Sequence, residues 1–158
     1  MFDRIMIPLD GSELAEQALP RAAYLAAATG GVLHLVRVIE PPAAVRTQGL
    51  GAPVNVHAES IATQRQEAAA YLERMRERLE RDGGTVQTRL LDGYTAAVLI
   101  DYVREATIDL VVLTTHGRSG LTRWALGSVA DRVVRGGAPA VLLVNAETID
   151  QQEREGRA

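Results

Sequence analysis

The sequence predicts one α/β domain, a doubly wound (Rossmann-like) parallel sheet of five strands with helices on both faces. Segments with the apolar pattern of strands alternate with segments that have the periodicity of amphipathic helices, which is the order of parallel strands joined by crossover helices. Two of the strand-like segments are almost wholly apolar, as strands covered on both faces are. The length of 158 residues suits one domain with a full-sized core.

The individual elements follow from the same patterns. The predicted strands are residues 4–9, 32–39, 85–91, 109–114 and 139–144. The predicted helices are residues 12–29, 58–81, 95–106 and 128–135. A kink is expected at Pro20, and the alternating third strand is expected nearer an edge of the sheet. Residues 40–57, rich in proline and glycine, predict a long surface loop. The domain is expected to span residues 1–146, followed by a polar, flexible tail at 147–158.

Composition excludes several classes of protein. A net charge of -3 gives no basic field for binding nucleic acid. The absence of cysteine excludes disulfides and thiolate metal sites. All 17 basic residues of the Lys+Arg total are arginines, which excludes a Walker-type phosphate loop, a pyridoxal phosphate Schiff base and a receiver domain with its usual lysine. No apolar run is long enough to span a membrane, and no leader precedes the first strand, so a cytoplasmic protein is expected.

The loop after the first strand contains a candidate ligand residue, Asp10. Ligands of open parallel sheets bind beyond the carboxyl ends of the strands, where the strand order reverses. At that position the Asp10 carboxylate can accept a hydrogen bond from a ribose hydroxyl or hold a magnesium ion. Alternatively, Asp10 or Ser12 only caps the following helix.

The segment after the fourth strand, residues 114–128, is the second candidate. It contains glycines and hydroxyl side chains and leads into a helix near Ser128. Glycines let backbone amides approach a phosphate, a helix N-terminus adds partial positive charge, and Arg118 can add a charge-assisted contact. The alternative is a simple turn followed by a capping box at Ser128–Asp131.

Both segments resemble motifs of the universal stress protein family. Thr114-Thr115-His116-Gly117, nine further residues and then Gly127-Ser128 resemble its nucleotide-binding signature, Gly-x-x-Gly, nine residues, Gly-Ser/Thr. Ile7-Pro8-Leu9-Asp10-Gly11-Ser12 resembles its first strand and the turn Val-Pro-x-Asp-Gly-Ser. The resemblance covers residues 2–145 and implies a member of the ATP-binding branch, with strand order 3-2-1-4-5 and a role in the stress response.

By position, the resemblance also implies the residues of a site for ATP with Mg²⁺. These residues are Pro8, Leu9, Asp10, Val38, Gly93, Thr114, His116, Gly117, Arg118, Gly120, Gly127, Ser128 and Val129. Asp10 would border the ribose or the metal, Val38 the adenine, and the residues from Gly117 onward the triphosphate. Two positions depart from the family pattern. Thr114 replaces the first glycine of the signature, and Tyr94-Thr95 replaces an Asp-Pro pair.

Three functions are compatible with this sequence. The favoured one is a binding and regulatory module that holds ATP. The others are a slow ATPase or autophosphorylating enzyme, and an interaction protein without nucleotide. The absence of lysine and of an evident base near the phosphates argues against efficient catalysis. The resemblance further implies a homodimer formed by the apolar last strand, with Val141 and Leu143 buried between the chains, and leaves any other protein partner unspecified.

Overall fold

The computed structural model describes residues 1–41, 54–115, 127–137 and 139–145. Its strands are β1 (Arg4–Pro8), β2 (Val32–Ile39), β3 (Thr85–Asp92), β4 (Leu110–Thr115) and β5 (Val141–Asn145). Its helices are α1 (Glu13–Glu16), α2 (Leu19–Thr29), α3 (Val54–Arg81), α4 (Thr95–Glu105) and α5 (Ser128–Arg135). The predicted tail at 147–158 lies outside the described residues.

The five strands form one parallel sheet in the order β3-β2-β1-β4-β5, which confirms the predicted fold. The chain builds outward from β1 to β3 and then returns to the other side of β1 to add β4 and β5. The strand order therefore reverses between β1 and β4, and a crevice opens there at the carboxyl ends of the strands. The alternating β3 lies at one edge, as expected, and β5 lies at the other.

Side-chain alternation along the strands produces a hydrophobic core on each face of the sheet. On β1, Ile5 and Ile7 point to the core beneath α2 and α3, whereas Met6 points to the core beneath α4 and α5. The same alternation continues along β2, where Leu35 and Val36 enter opposite cores. The strands β1 and β4 are buried on both faces over residues 5–7 and 110–113, which explains why these two segments are continuously apolar.

Two predicted helices differ from the structure. Residues 12–29 do not form one kinked helix, because the chain makes the short helix α1 and starts again as α2. Pro20 lies in the first turn of α2, where its missing N–H would have no intrahelical partner in any case. In addition, α3 begins at Val54, so His57 belongs to a helix and not to the preceding loop. Among the helices within the described ranges, none is both long and apolar enough to cross a membrane.

Candidate functional site

A cavity of about 210 Å³ lies at the carboxyl ends of the central strands, on the face covered by α4 and α5. Its wall is formed by Pro8, Leu9, Asp10, Ser12, Leu14, Ala15, Val36, Val38, Thr95, Leu99, Leu113, Thr114, Gly127, Ser128, Val129 and Ala130. This is the crevice at which the strand order reverses. The described wall encloses less than the roughly 300–1,000 Å³ of a complete small-molecule site. Residues 116–126, which join β4 to α5, lie outside the described residues.

Asp10 is part of the cavity wall and lies just after β1. Its Oδ1 accepts a hydrogen bond from the Ser12 hydroxyl at 2.6 Å and another from the Ser12 backbone N–H at 2.9 Å. Burial alone would raise the pKa of the Asp10 carboxyl, but these hydrogen bonds and the positive charge of Arg37 lower it below its usual value. The turn requires φ +89° at Gly11, and the Arg37 guanidinium lies against that glycine. The loop therefore holds an ionised carboxylate at the cavity.

Ser12, and not Asp10, is the residue that caps the helix after β1. Its hydroxyl accepts a hydrogen bond from the Ala15 N–H at 3.1 Å and so caps α1. Asp10 does not cap the helix itself, because it binds Ser12 and thereby holds the capping residue in place. Asp10 therefore has two roles in this loop. Its carboxylate lies in the cavity wall, and it also holds the turn in which Ser12 caps α1.

The N-terminus of α5 borders the cavity on the side of β4. Gly127 is the N-cap residue and has no side chain of its own with which to cap the helix. The helix begins with the bond from the Asp131 N–H to the Gly127 carbonyl at 2.9 Å. The alternative capping box at Ser128–Asp131 is therefore wrong, because Ser128 is the first helical residue and not the cap. The N–H groups of the first turn have no partner within the helix and can receive an anion.

The N-terminus of α4, on the side of β2, is already capped by a carboxylate. Glu40 Oε1 accepts a hydrogen bond from the Thr95 N–H at 3.2 Å and one from the Thr95 hydroxyl at 2.5 Å. The negative charge of Glu40 meets the positive end of the helix dipole there. Three helix starts reach the cavity wall: α1 is capped by Ser12 and α4 by Glu40, whereas the N-cap residue of α5 is a glycine.

The wall between these polar ends is apolar. Val36 and Val38 on β2 and Leu99 on α4 form this part of the cavity, and Val36 and Leu99 are fully buried. A flat, weakly polar group can bury its faces against such a surface. The cavity therefore combines an apolar end at β2 with a carboxylate at β1 and the first-turn amides of α5 beyond β4.

Most of the predicted site residues within the described ranges meet at this cavity. They are Pro8, Leu9, Asp10, Val38, Thr114, Gly127, Ser128 and Val129. Gly93 is not part of the wall. Its N–H donates to the Ile39 carbonyl at 3.1 Å, and it shapes the turn between β3 and α4. His116, Gly117, Arg118 and Gly120 lie outside the described residues.

Several wall residues were not assigned to a site from the sequence. Leu14 and Ala15 on α1 and Leu99 on α4 have only the apolar pattern of helix residues that face a core. For Thr95 the sequence contains only one indication, the replacement of the family's Asp-Pro pair by Tyr94-Thr95. Within the described ranges, no three His, Asp or Glu side chains converge in a way that would hold a metal ion by themselves.

Comparison with known proteins identifies a family. A model of the universal stress protein family matches residues 1–145. Universal stress protein MJ0531 of Methanocaldococcus jannaschii is 28% identical over 145 residues, which are 91% of this chain and 82% of that protein.

Solved structures have the same fold. Universal stress protein UspA from Lactobacillus plantarum gives a TM-score of 0.74 at 21% identity, over 90% of this chain and 97% of that chain. A universal stress protein in complex with cAMP gives a TM-score of 0.66 at 23% identity, over 91% of this chain and 97% of that one. Together with the family model, which spans all five strands and all five helices of the described structure, these matches establish that the chain belongs to the universal stress protein family.

Proposed function

We propose that this chain binds ATP together with Mg²⁺ in the cavity at the carboxyl ends of the strands. In this proposal it acts as a nucleotide-dependent binding and regulatory module of the stress response. The observation that carries the proposal is the pairing of the Asp10 carboxylate with the N-terminus of α5, whose N-cap residue is Gly127, across one cavity. The absence of cysteine fits a reducing compartment, and we place the protein in the cytoplasm.

The order of features along the sheet edge matches the order of groups in a nucleotide. The apolar wall at Val38 and Leu99 accepts the base, and Asp10 stands where the ribose or a metal ion would lie. Ser128 and Val129 supply backbone amides for phosphate oxygens at the start of α5. An adenine nucleotide is also the ligand of the family member solved in complex with cAMP.

Magnesium is part of the proposal because of charge. Asp10 is ionised, and an anionic carboxylate beside a triphosphate would weaken binding unless a cation lay between them. Mg²⁺ commonly takes one or two carboxylates and completes its coordination with phosphate oxygens and water, so a lone Asp10 suffices. The metal would neutralise phosphate charge, and Asp10 would orient it.

Isothermal titration calorimetry of the purified protein with ATP, with and without Mg²⁺, tests this function. We expect binding in the micromolar range or tighter. We also expect Asp10→Asn to weaken binding of Mg²⁺–ATP about tenfold, the loss of one charge-assisted contact. Binding of ATP without the metal should change much less. Nucleotide released from the protein by acid can be identified to show what it holds after purification.

Asp82→Asn is the matched control, because Asp82 is an exposed carboxylate just before β3, at the opposite end of the sheet. This variant should bind Mg²⁺–ATP as the unaltered protein does. If millimolar ATP produced neither heat nor a rise in the melting temperature of the unaltered protein, the proposed function would be wrong.

A further inference from the structure

Thr95 presents a hydroxyl group at the β2 end of the cavity, and that hydroxyl is fixed by Glu40. The parallel register pairs Ile39 with Asp92, which brings the residue after β2 next to the first turn of α4. There Glu40 Oε1 accepts from the Thr95 hydroxyl at 2.5 Å and from the Thr95 N–H at 3.2 Å. Thr95 is also part of the cavity wall.

The contact with Glu40 determines what Thr95 can offer to a ligand. A carboxylate only accepts hydrogen bonds, so the single hydroxyl hydrogen of Thr95 points to Glu40. The Thr95 N–H points to the same oxygen. Towards any group in the cavity, therefore, the hydroxyl of Thr95 can only accept a hydrogen bond.

The place of Thr95 in the cavity suits the base of a nucleotide. In the strand order, β2 lies on the opposite side of β1 from β4, and the N-terminus of α5 follows β4. A nucleotide with its phosphates at α5 and its ribose near Asp10 would bring its base to the apolar surface of Val38 and Leu99, beside Thr95.

We infer that Thr95, oriented by Glu40, is a specificity-determining residue that accepts a hydrogen bond from the 6-amino group of adenine and disfavours a 6-oxo purine. This inference rests on the proposed function. A 6-oxo group has no hydrogen to give, so it would place two acceptors against each other and leave both without a hydrogen bond. The positive end of α4 cannot compensate, because Glu40 occupies it.

Competition between ATP and inosine triphosphate, which carries a 6-oxo group, tests the inference by calorimetry in the presence of Mg²⁺. We expect the unaltered protein to prefer ATP about tenfold or more, since one hydrogen bond is lost and one acceptor is left unpaired. Thr95→Val keeps the shape of the side chain and removes the hydroxyl, so the preference should fall close to unity. Thr95→Ser keeps the hydroxyl and should retain the preference.

Thr114→Val is the matched control, because it makes the same change in the same cavity at the β4 end. It should leave the ratio of the two affinities unchanged, whatever its effect on each. Circular dichroism melting shows whether each variant is folded. If Thr95→Val does not fold, Glu40→Ala provides the second test, because it releases the hydroxyl hydrogen and should also lower the preference.

Two results would overturn the inference while leaving the proposed function intact. One is equal binding of the two nucleotides by the unaltered protein. The other is a preference for ATP that survives in Thr95→Val or in Glu40→Ala. If the protein bound neither nucleotide, the proposed function and this inference would both be wrong.

Discussion

At the scale of single residues, His34 is an ionisable group inside the apolar core. It lies on β2 and is only 5% exposed, and its Nδ1 is 2.9 Å from the hydroxyl oxygen of Tyr102 on α4. Burial, together with the positive charges of Arg4 and Arg89, lowers the pKa of His34 below its ordinary value of 6.5.

The lowered pKa of His34 predicts a loss of stability in acid. Because the unfolded chain binds the proton at higher pH than the folded chain, the stabilisation from neutral His34 is complete above about pH 6.5 and declines as the pH falls below it. His34→Gln keeps a polar partner for Tyr102 and does not titrate. Urea unfolding at several pH values should show that, as the pH is lowered, the free energy of unfolding falls more steeply in the unaltered protein than in His34→Gln.

The two other histidines are present in both proteins, so the difference between their pH profiles isolates His34. One proton limits the difference in slope to about 1.4 kcal/mol per pH unit. Parallel profiles between pH 7 and pH 5 would show that His34 does not control the acid sensitivity.

At the scale of elements, the position of α5 depends on a close contact with α4 at Gly136. A Cβ atom added there would collide with Ile100 Cδ1, lie 2.7 Å from Ile100 Cγ1 and approach the Arg132 carbonyl oxygen to 2.9 Å. The absence of a side chain at Gly136 thus lets the C-terminal end of α5 pack on α4. Since α5 also provides Ser128 and Val129 to the cavity, this contact helps to position the proposed phosphate site.

Gly136→Ala should destabilise the protein by about 1–3 kcal/mol, because overpacking forces neighbouring groups to move. The free energy of unfolding from urea titration measures this effect. Adding Ile100→Val removes Cδ1, the colliding atom, and should recover part of the loss in the double variant. If Gly136→Ala left the free energy of unfolding unchanged, α5 would not be held by this contact. The same would follow if adding Ile100→Val recovered none of the lost free energy of unfolding.

At the scale of the whole molecule, the β5 edge of the sheet is the place where we propose that two chains associate. β5 pairs only with β4 within the described sheet, so it is an edge strand, and an edge strand can add a strand of another chain to the sheet. Val141 is partly buried and Leu143 is 36% exposed. A second chain related by a two-fold axis would place its own β5 antiparallel to this one. Val141 and Leu143 of both chains would then be buried.

Leu143→Arg should therefore convert the dimer to a monomer or cause aggregation, since it places a charge in the proposed interface. Sedimentation velocity over a range of concentrations measures the change. Tyr24→Arg is the control, because it puts the same charge on another exposed apolar side chain, on α2. A monomeric unaltered protein at tens of micromolar would rule out a dimer formed through β5.

The sequence by itself determined the fold and the family, and it predicted that Asp10 and Ser128 lie at one candidate site. Periodicity distinguishes strands from helices, and their alternation along the chain predicts a parallel sheet. Asp10 after β1 and Gly127-Ser128 before α5 were identifiable because turns and helix starts depend on local residues. That both segments reach one cavity follows from the topology, since ligands of such sheets bind beyond the carboxyl ends of the strands.

Only the tertiary structure decided which side chains meet across the sheet. Glu40 and Thr95 are 55 residues apart in the chain, and His34 and Tyr102 are 68 residues apart, so no local pattern could pair them. The register of β2 with β3 brings the first pair together, and the packing of α4 on β2 brings the second. The same register places Gly93 in a turn outside the cavity wall and Thr95 in the wall. The reason is physical: periodicity records which face of an element is buried, whereas the identity of a contact depends on how two distant elements are aligned.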